Sequence, residues 1–395
     1  MPISSKIAES LTHSSWIRRM FETGIILKKQ YGEENVFDFS LGNPDLPSPP
    51  EFDAVLADEA NKKGCFIHGY MPNAGYPETR IAVSDMLRRE SGLEFTENNI
   101  IMTCGAAGAL NVILKSILES GDEIFIIAPY FPEYDFYIDN HQGVKVESRS
   151  TEDFLPDLDD LKTKINSRTR AVLINSPNNP TGRIYPSHTL KKLGELLLAK
   201  SESIGHPIYL LADEPYKKIV YDGLKYISPL SFYKNTILAT SFSKDLSLAG
   251  ERIGYLAVSP LIEDFGDIIS AATFCNRILG YINAPALMQR VIKRVLNSSV
   301  DVSIYQRRRD ILYNALKKIG YVVMKPEGTF YMFPKSPIAD DIKFVKALQE
   351  KRILVTPGSG FHRPGHFRIS FCVSEQTINR ALTGFEEVFK KYSCL

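Results

Sequence analysis

The chain has 395 residues, 44% hydrophobic, 11% aromatic and 24% charged, an ordinary globular composition that excludes disordered, collagen-like and coiled-coil architectures. Its 47 lysines and arginines stand against 46 aspartates and glutamates, a formal net charge of +1. A nucleic-acid binder normally carries a large basic excess, so this balance points to a small-molecule site instead. The five cysteines, Cys65, Cys104, Cys275, Cys372 and Cys394, are odd in number and contain no CxxC pair, so neither a disulfide framework nor a zinc knuckle is expected.

In chain order, the N-terminal MPISSKIAESLTHSSWIRRM reads as a polar or amphipathic arm without an apolar leader core. No apolar run reaches the roughly 18 residues of a membrane span, and a soluble cytoplasmic protein is expected. From about residue 98 to 260, short apolar runs alternate with helical patterns. NNIIMT, EIFIIA, VKVES, RAVLIN, PIYLLAD, TILATSF and GYLAVS are strand candidates. GAAGALNVILKSILES, LPDLDDLKTKI and SHTLKKLGELLLAK are helix candidates between them. Several strands are apolar on both faces, as in a sheet covered by helices on two sides. The expected fold class is α/β, with a mostly parallel sheet of the seven-stranded type.

After about residue 285 the pattern changes. One long charged helical stretch, from Ala286 to Gly320, leads to strand-like YVVMKP and TFYMFP, then ILVTPG, HFRISFCV and a final helix INRALTGFEEVFKKY. The expected organisation is an arm and part of a small domain over 1–40, a large domain over 41–285, and the rest of a small α+β domain over 286–395.

Four segments carry candidate chemistry. In Ser241-Phe242-Ser243-Lys244 the lysine directly follows a strand, where α/β sheets place ligands. Desolvated there, a lysine loses its proton more readily and can form a Schiff base with an aldehyde. Arg252, eight residues on, and the serines are suited to a phosphate, although a surface lysine and a salt-bridged arginine would look the same. Asp213-Glu214-Pro215-Tyr216 closes PIYLLAD with an acid that needs a cation or strong donor, or else caps a following helix. Ser176-Pro177-Asn178-Asn179-Pro180-Thr181-Gly182 is either an ordinary turn or one that aims Asn179 into a site. Gly105-Ala106-Ala107-Gly108 lets backbone N–H groups at a helix start approach a phosphate, or simply packs tightly.

Taken in order with the aromatic PYFPEY and the late Phe367-Arg368-Ile369-Ser370, these segments resemble the fold-type I pyridoxal-phosphate enzymes. The closest resemblance is to the class I/II aminotransferases similar to aspartate aminotransferase, from about Asp38 to Val373. It implies pyridoxal 5'-phosphate as cofactor and transfer of an amino group between an L-amino acid and a 2-oxo acid by a ping-pong mechanism. Lys244 matches the Schiff-base lysine, Asp213 the partner of the pyridinium nitrogen, and Tyr216 and Asn179 the donors to the ring oxygen. Ser241, Ser243, Arg252 and the backbone of Ala106 and Ala107 match the phosphate cradle. Phe131 falls where a ring stacks on the cofactor, and Pro215 covers its other face. Arg368 matches the binder of the substrate α-carboxylate, Gly42 a loop closing over it, and Tyr70 a tyrosine reaching the neighbouring subunit's phosphate, which implies a homodimer.

One position departs from the pattern. A lysine that binds the distal carboxylate in one bacterial branch is replaced by Ala107, which puts aspartate specificity in doubt. A carbon–sulfur β-lyase shares the same set of residues, and a pyridoxal-phosphate-binding regulator is disfavoured by the near-neutral charge. Tyr76 and Trp16 either line the substrate side or pack on the small domain. His362 and His366 are separated by Pro364 and Gly365, which disfavours a helical metal pair, and no metal is expected. Arg307, Arg308 and Arg309 read as a solvated helix face.

Overall fold

The computed structural model describes residues 2–12 and 16–393; Cys394 lies outside them. Strand β1 (Phe37–Asp38) belongs to a small sheet near the arm. The main sheet is built from β2 (Ile100–Thr103), β3 (Glu123–Ile127), β4 (Val144–Ser148), β5 (Thr169–Asn175), β6 (Tyr209–Asp213), β7 (Thr236–Ser241) and β8 (Gly254–Val258). Its seven strands run in the order β2-β8-β7-β6-β5-β3-β4. Only β8 is antiparallel to its neighbours, β2 and β7.

The apolar runs explain the layering. Within β3, Phe125 and Ile127 enter one hydrophobic core while Ile124 and Ile126 enter another; in β6, Leu210 and Ala212 part from Leu211 in the same way. Successive side chains point to opposite faces, so a run apolar throughout must be covered twice. Each fully buried Leu, Ile or Phe contributes about 1.5–3 kcal/mol relative to exposure.

Parallel strands share their direction, so β5, β6 and β7 end together. Asn175 pairs with Asp213, and Asp213 with Ala239. The next residues along the chain are therefore delivered to one edge of the sheet.

A further core draws on both ends of the chain, with Met20 and Phe39 packed among Tyr305, Leu312, Phe344, Ile353 and Phe385. Around it lie β9 (Tyr331–Met332), β10 (Ile353–Leu354), β11 (Thr356–Pro357) and β12 (Phe367–Ser370). β12 sits between β11 and β9, antiparallel to both, and β1 pairs in parallel with β10. Trp16 packs against this core and against Gly360, so the packing alternative holds for it. Among the described residues no helix is long and apolar enough to cross a membrane.

Three sequence expectations need correction. The stretch from Ala286 is two helices, Ala286–Val295 and Val302–Ile319. The chain leaves the first so that the Val300 amide can donate to Asp245 O (2.8 Å), and Asp301 then caps the second. YVVMKP forms no strand, because Tyr321 turns inward among the rings of Phe344, Phe385 and Phe389. The arginine triplet is not a solvated face. Arg309 is fully buried, paired with Asp222 and Asp310, and Arg308 is buried against Asp45; only Arg307 is exposed.

Candidate active site

A cavity of about 320 Å³ opens at the carboxyl edge of the sheet. Gly42, Ala106, Ala107, Phe131, Asn179, Asp213, Pro215, Tyr216, Ser241, Ser243, Lys244, Arg252 and Arg368 all line it. Residues scattered over more than 320 positions thus meet where the segments after β3, β5, β6 and β7, the start of the helix Gly105–Ile117, the loop after β1 and strand β12 all contribute to one lining. Tyr70 is the exception. It lies outside the cavity and is 91% exposed. Tyr76 is also absent from the lining; its amide is hydrogen-bonded to Gln289 (2.9 Å).

Asp213 ends β6 as a buried carboxylate. Tyr134 Oη donates to its Oδ2 at 2.5 Å, while Oδ1 is buried without a partner. Burial pushes its pKa up to about 7, against the opposing pull of the Tyr134 hydrogen bond. The alternative in which Asp213 caps a helix does not hold, because turns rather than a helix follow it. Asn175, one strand over, donates to the Asp213 carbonyl (2.9 Å) and accepts from the Asn179 amide (2.7 Å), which fixes the NNPTG turn against the sheet edge.

Lys244 follows β7, and its Nζ donates to the Gly42 carbonyl at 2.8 Å. Desolvation lowers its pKa to about 8, assisted by the charges of Arg368 and Arg252. A usable fraction of the amine is therefore neutral near physiological pH. Gly42 cannot be replaced freely, since a Cβ there would lie 1.7 Å from Tyr331 Oη.

At the other end, the helix Gly105–Ile117 points its first turn into the cavity. Arg252 donates to the carbonyls of Ala249 (3.0 Å) and Cys104 (3.3 Å), with no carboxylate partner among the described residues. Gly105, at φ +74°, has no Cβ to push against that guanidinium. Helix N–H groups, a guanidinium and the Ser241 and Ser243 hydroxyls form an anion-binding corner.

Arg368, in β12, is fully buried. It donates to Asn179 Oδ1 (3.0 Å) and to the Ser40 carbonyl (2.5 Å), while its Nε has no partner. Its guanidinium carbon lies 4.5 Å from the Tyr331 ring and 4.7 Å from the Phe361 ring. Tyr216 and Tyr331 hydroxyls meet at 3.1 Å.

Tyr134, Tyr137, Asn175, Leu41 and Tyr331 also line the cavity, and sequence reasoning did not single them out. Tyr134 lies in the quoted PYFPEY and Tyr331 in TFYMFP, but nothing in either segment indicates which ring turns inward. His362 bridges Asp135 and Glu147, and His366 stacks on Phe333.

Fold and cavity together define an α/β enzyme with a small-molecule site at the carboxyl edge of its sheet. The chain matches the family Aminotransferase class I and II over residues 34–385. It is 34% identical to the probable aspartate/prephenate aminotransferase of Aquifex aeolicus over 90% of this chain and 92% of that one. A crystal structure of an amino transferase from Eubacterium rectale superposes with a TM-score of 0.96 at 39% identity, covering 99% of both chains. Aspartate aminotransferase from Thermus thermophilus with maleate gives 0.86 at 28% identity, covering 95% and 97%. The protein belongs to the aminotransferase class I and II family. It is an aminotransferase of fold type I, a family that works with pyridoxal phosphate and acts on amino acids and 2-oxo acids.

Proposed function

We propose that this cavity binds pyridoxal 5'-phosphate and that the protein transfers an amino group from an L-amino acid to a 2-oxo acid. The observation that carries the reading is the unpartnered Oδ1 of Asp213, which shares one cavity with a lysine whose pKa falls to about 8. A buried carboxylate oxygen without a donor calls for a cation, and a protonated pyridine nitrogen is one. The anion-binding corner at Ala106, Ala107, Ser241, Ser243 and Arg252 suits the phosphate. Phe131 and Pro215 both line the cavity, as the resemblance expects for the two faces of the ring, and Asn179 and Tyr216 are donors for the ring oxygen.

When bound, the cofactor supplies an electron sink for the substrate Cα. The remaining work falls to the chain. Asp213 keeps the ring nitrogen protonated. Lys244 Nζ takes the Cα proton and returns it as general base and acid. Arg368, held by Asn179 and Ser40, clamps the α-carboxylate and so determines which Cα bond faces the ring.

The same reading places 1–40 and 286–395 in a small domain beside a large one over 41–285, and makes the enzyme a homodimer. Support for the dimer is the almost fully exposed Tyr70, beside an equally exposed Phe66, available to reach a neighbouring subunit's phosphate. Cys65, Cys104, Cys275 and Cys372 are free thiols, which suits a reducing cytoplasm.

Aspartate, named for the relatives, is the first donor to test; Ala107 adds no charge to the cavity wall for a second carboxylate. The test is a donor screen of the holoenzyme with 2-oxoglutarate. Glutamate formation is expected, whereas pyruvate and ammonia without glutamate would overturn the reading in favour of carbon–sulfur lyase chemistry.

A further inference from the structure

The short 3-10 helix Gly358–Phe361 after β11 ends in Phe361, with His362 as its C-cap, beside the site. His362 sits at φ 61°, a left-handed conformation unusual for a side-chain-bearing residue. Its ring is held on three sides. Nε2 lies 3.2 Å from Asp135 Oδ2 and Nδ1 lies 3.1 Å from Glu147 Oε2. Tyr130 stacks on it at 4.4 Å with planes 14° apart. Lys145 completes the cluster, bonded to Asp135 (3.0 Å) and to Tyr130 Oη (2.9 Å). Tyr130, Asp135, Lys145 and Glu147 are the titratable groups that face the ring from the elements packed against it.

A neutral imidazole has one N–H and cannot donate to two carboxylates, whereas an imidazolium has two. The geometry is therefore complete only in the charged form. What it joins is significant for the site. Phe361, one residue before, supports the Arg368 guanidinium, and its carbonyl accepts from the Tyr130 amide at 3.3 Å. On the other side, Tyr130 and Asp135 flank Phe131 and Tyr134, which line the cavity next to Asp213.

We propose that His362 is a positioning residue, an imidazolium clasp between Asp135 and Glu147 that sets Arg368 at its working distance from the Phe131–Tyr134 wall and so governs capture of the substrate α-carboxylate. The proposal rests on the role assigned to Arg368 above. Burial opposes charge on His362, but the hydrogen bonds to Asp135 and Glu147 outweigh it and raise the pKa. A raised value means the clasp is closed at lower pH and opens as pH climbs through it.

His362→Gln in the holoenzyme is expected to raise KM for the amino acid 3- to 10-fold, with kcat and cofactor affinity near wild type. It should also remove the alkaline rise in KM expected of the wild type. Glu147→Gln, at a partly exposed carboxylate, should move that rise to lower pH. Proton NMR provides a readout independent of turnover. The His362 resonance, assigned by its loss in the variant, should titrate above the ordinary histidine range and shift down in Glu147→Gln. An unchanged KM and pH profile in both variants, or a His362 resonance titrating in or below the ordinary range, overturns the clasp. Arg368→Lys separates the two ideas. If it leaves KM unchanged, the functional reading fails; if it raises KM while His362→Gln does not, only the clasp fails.

Discussion

Tyr134 gives its hydroxyl hydrogen to one oxygen of Asp213 and leaves the other buried and free. One donor holds the carboxylate in place, and the second oxygen is the one that the proposed function assigns to a ring cation. Both effects act on the same pKa. Burial raises it to about 7, and the Tyr134 bond keeps it from going higher.

Cofactor affinity should therefore fall as pH drops through about 7, because a protonated Asp213 cannot oppose a ring cation. Tyr134→Phe removes the opposing hydrogen bond, so the midpoint should move to higher pH. Titration of the apoenzyme with pyridoxal phosphate at several pH values, followed by absorbance, measures it. An identical midpoint in the variant would mean that Tyr134 does not tune the carboxylate.

Asp213→Ala should lower kcat by about 10²–10³, the scale for losing one placed electrostatic group in a dry site, while some cofactor stays bound through the phosphate corner. Lys244→Ala should abolish turnover and the absorption of a lysine-linked cofactor without altering the circular dichroism of the fold. Near wild-type transamination by the Lys244 variant would remove that residue from its assigned role.

Gly42→Ala would drive a methyl group into Tyr331 Oη, 1.7 Å from the ideal Cβ position. Overpacking of this kind typically costs about 1–3 kcal/mol. Because Gly42 O also accepts from Lys244, the variant should lose activity as well as stability. Thermal unfolding and steady-state kinetics report the two losses separately, and a variant that loses neither would show that the loop gives way freely.

Arg309→Ala should destabilise the fold by about 2–4 kcal/mol. That is below the full penalty for breaking a buried pair, because Asp222 and Asp310 keep contact with water. The pocket left beside Tyr221, whose ring lies 4.6 Å from the guanidinium, adds a packing loss. Urea denaturation measures the change; an effect under about 0.5 kcal/mol would restore the solvated-face reading of the triplet.

The arginine triplet also shows where sequence reasoning stops. Three adjacent charges on a helical pattern look solvated, yet 3.6-residue periodicity turns Arg308 and Arg309 inward, and only a folded partner surface tells whether acids wait there. Tyr134 was similarly illegible. Helix Glu133–Asp139 has tyrosines at 134 and 137, and the one that meets Asp213 is selected by how that helix packs on the sheet. YVVMKP has the apolar residues of a strand, yet its strand-like backbone pairing among the described residues is the single bond from the Lys335 amide to the Val322 carbonyl (2.8 Å), while Tyr321 packs among aromatic rings.

Local pattern by itself indicated the mostly parallel sheet and its double coverage by helices, because strand periodicity is written in consecutive positions. It left Lys244, Asp213 and Asn179 with ordinary structural alternatives, and Arg368 stood out only through the ordered resemblance to a family. The near-zero net charge likewise pointed to a small ligand before any site was visible. Only the tertiary structure decided which carboxylate oxygen stays free, that Lys244 bonds Gly42 some 200 positions away, and that His362 bridges two acids. Those relations join residues distant in sequence through burial and hydrogen-bond geometry, which no local pattern contains.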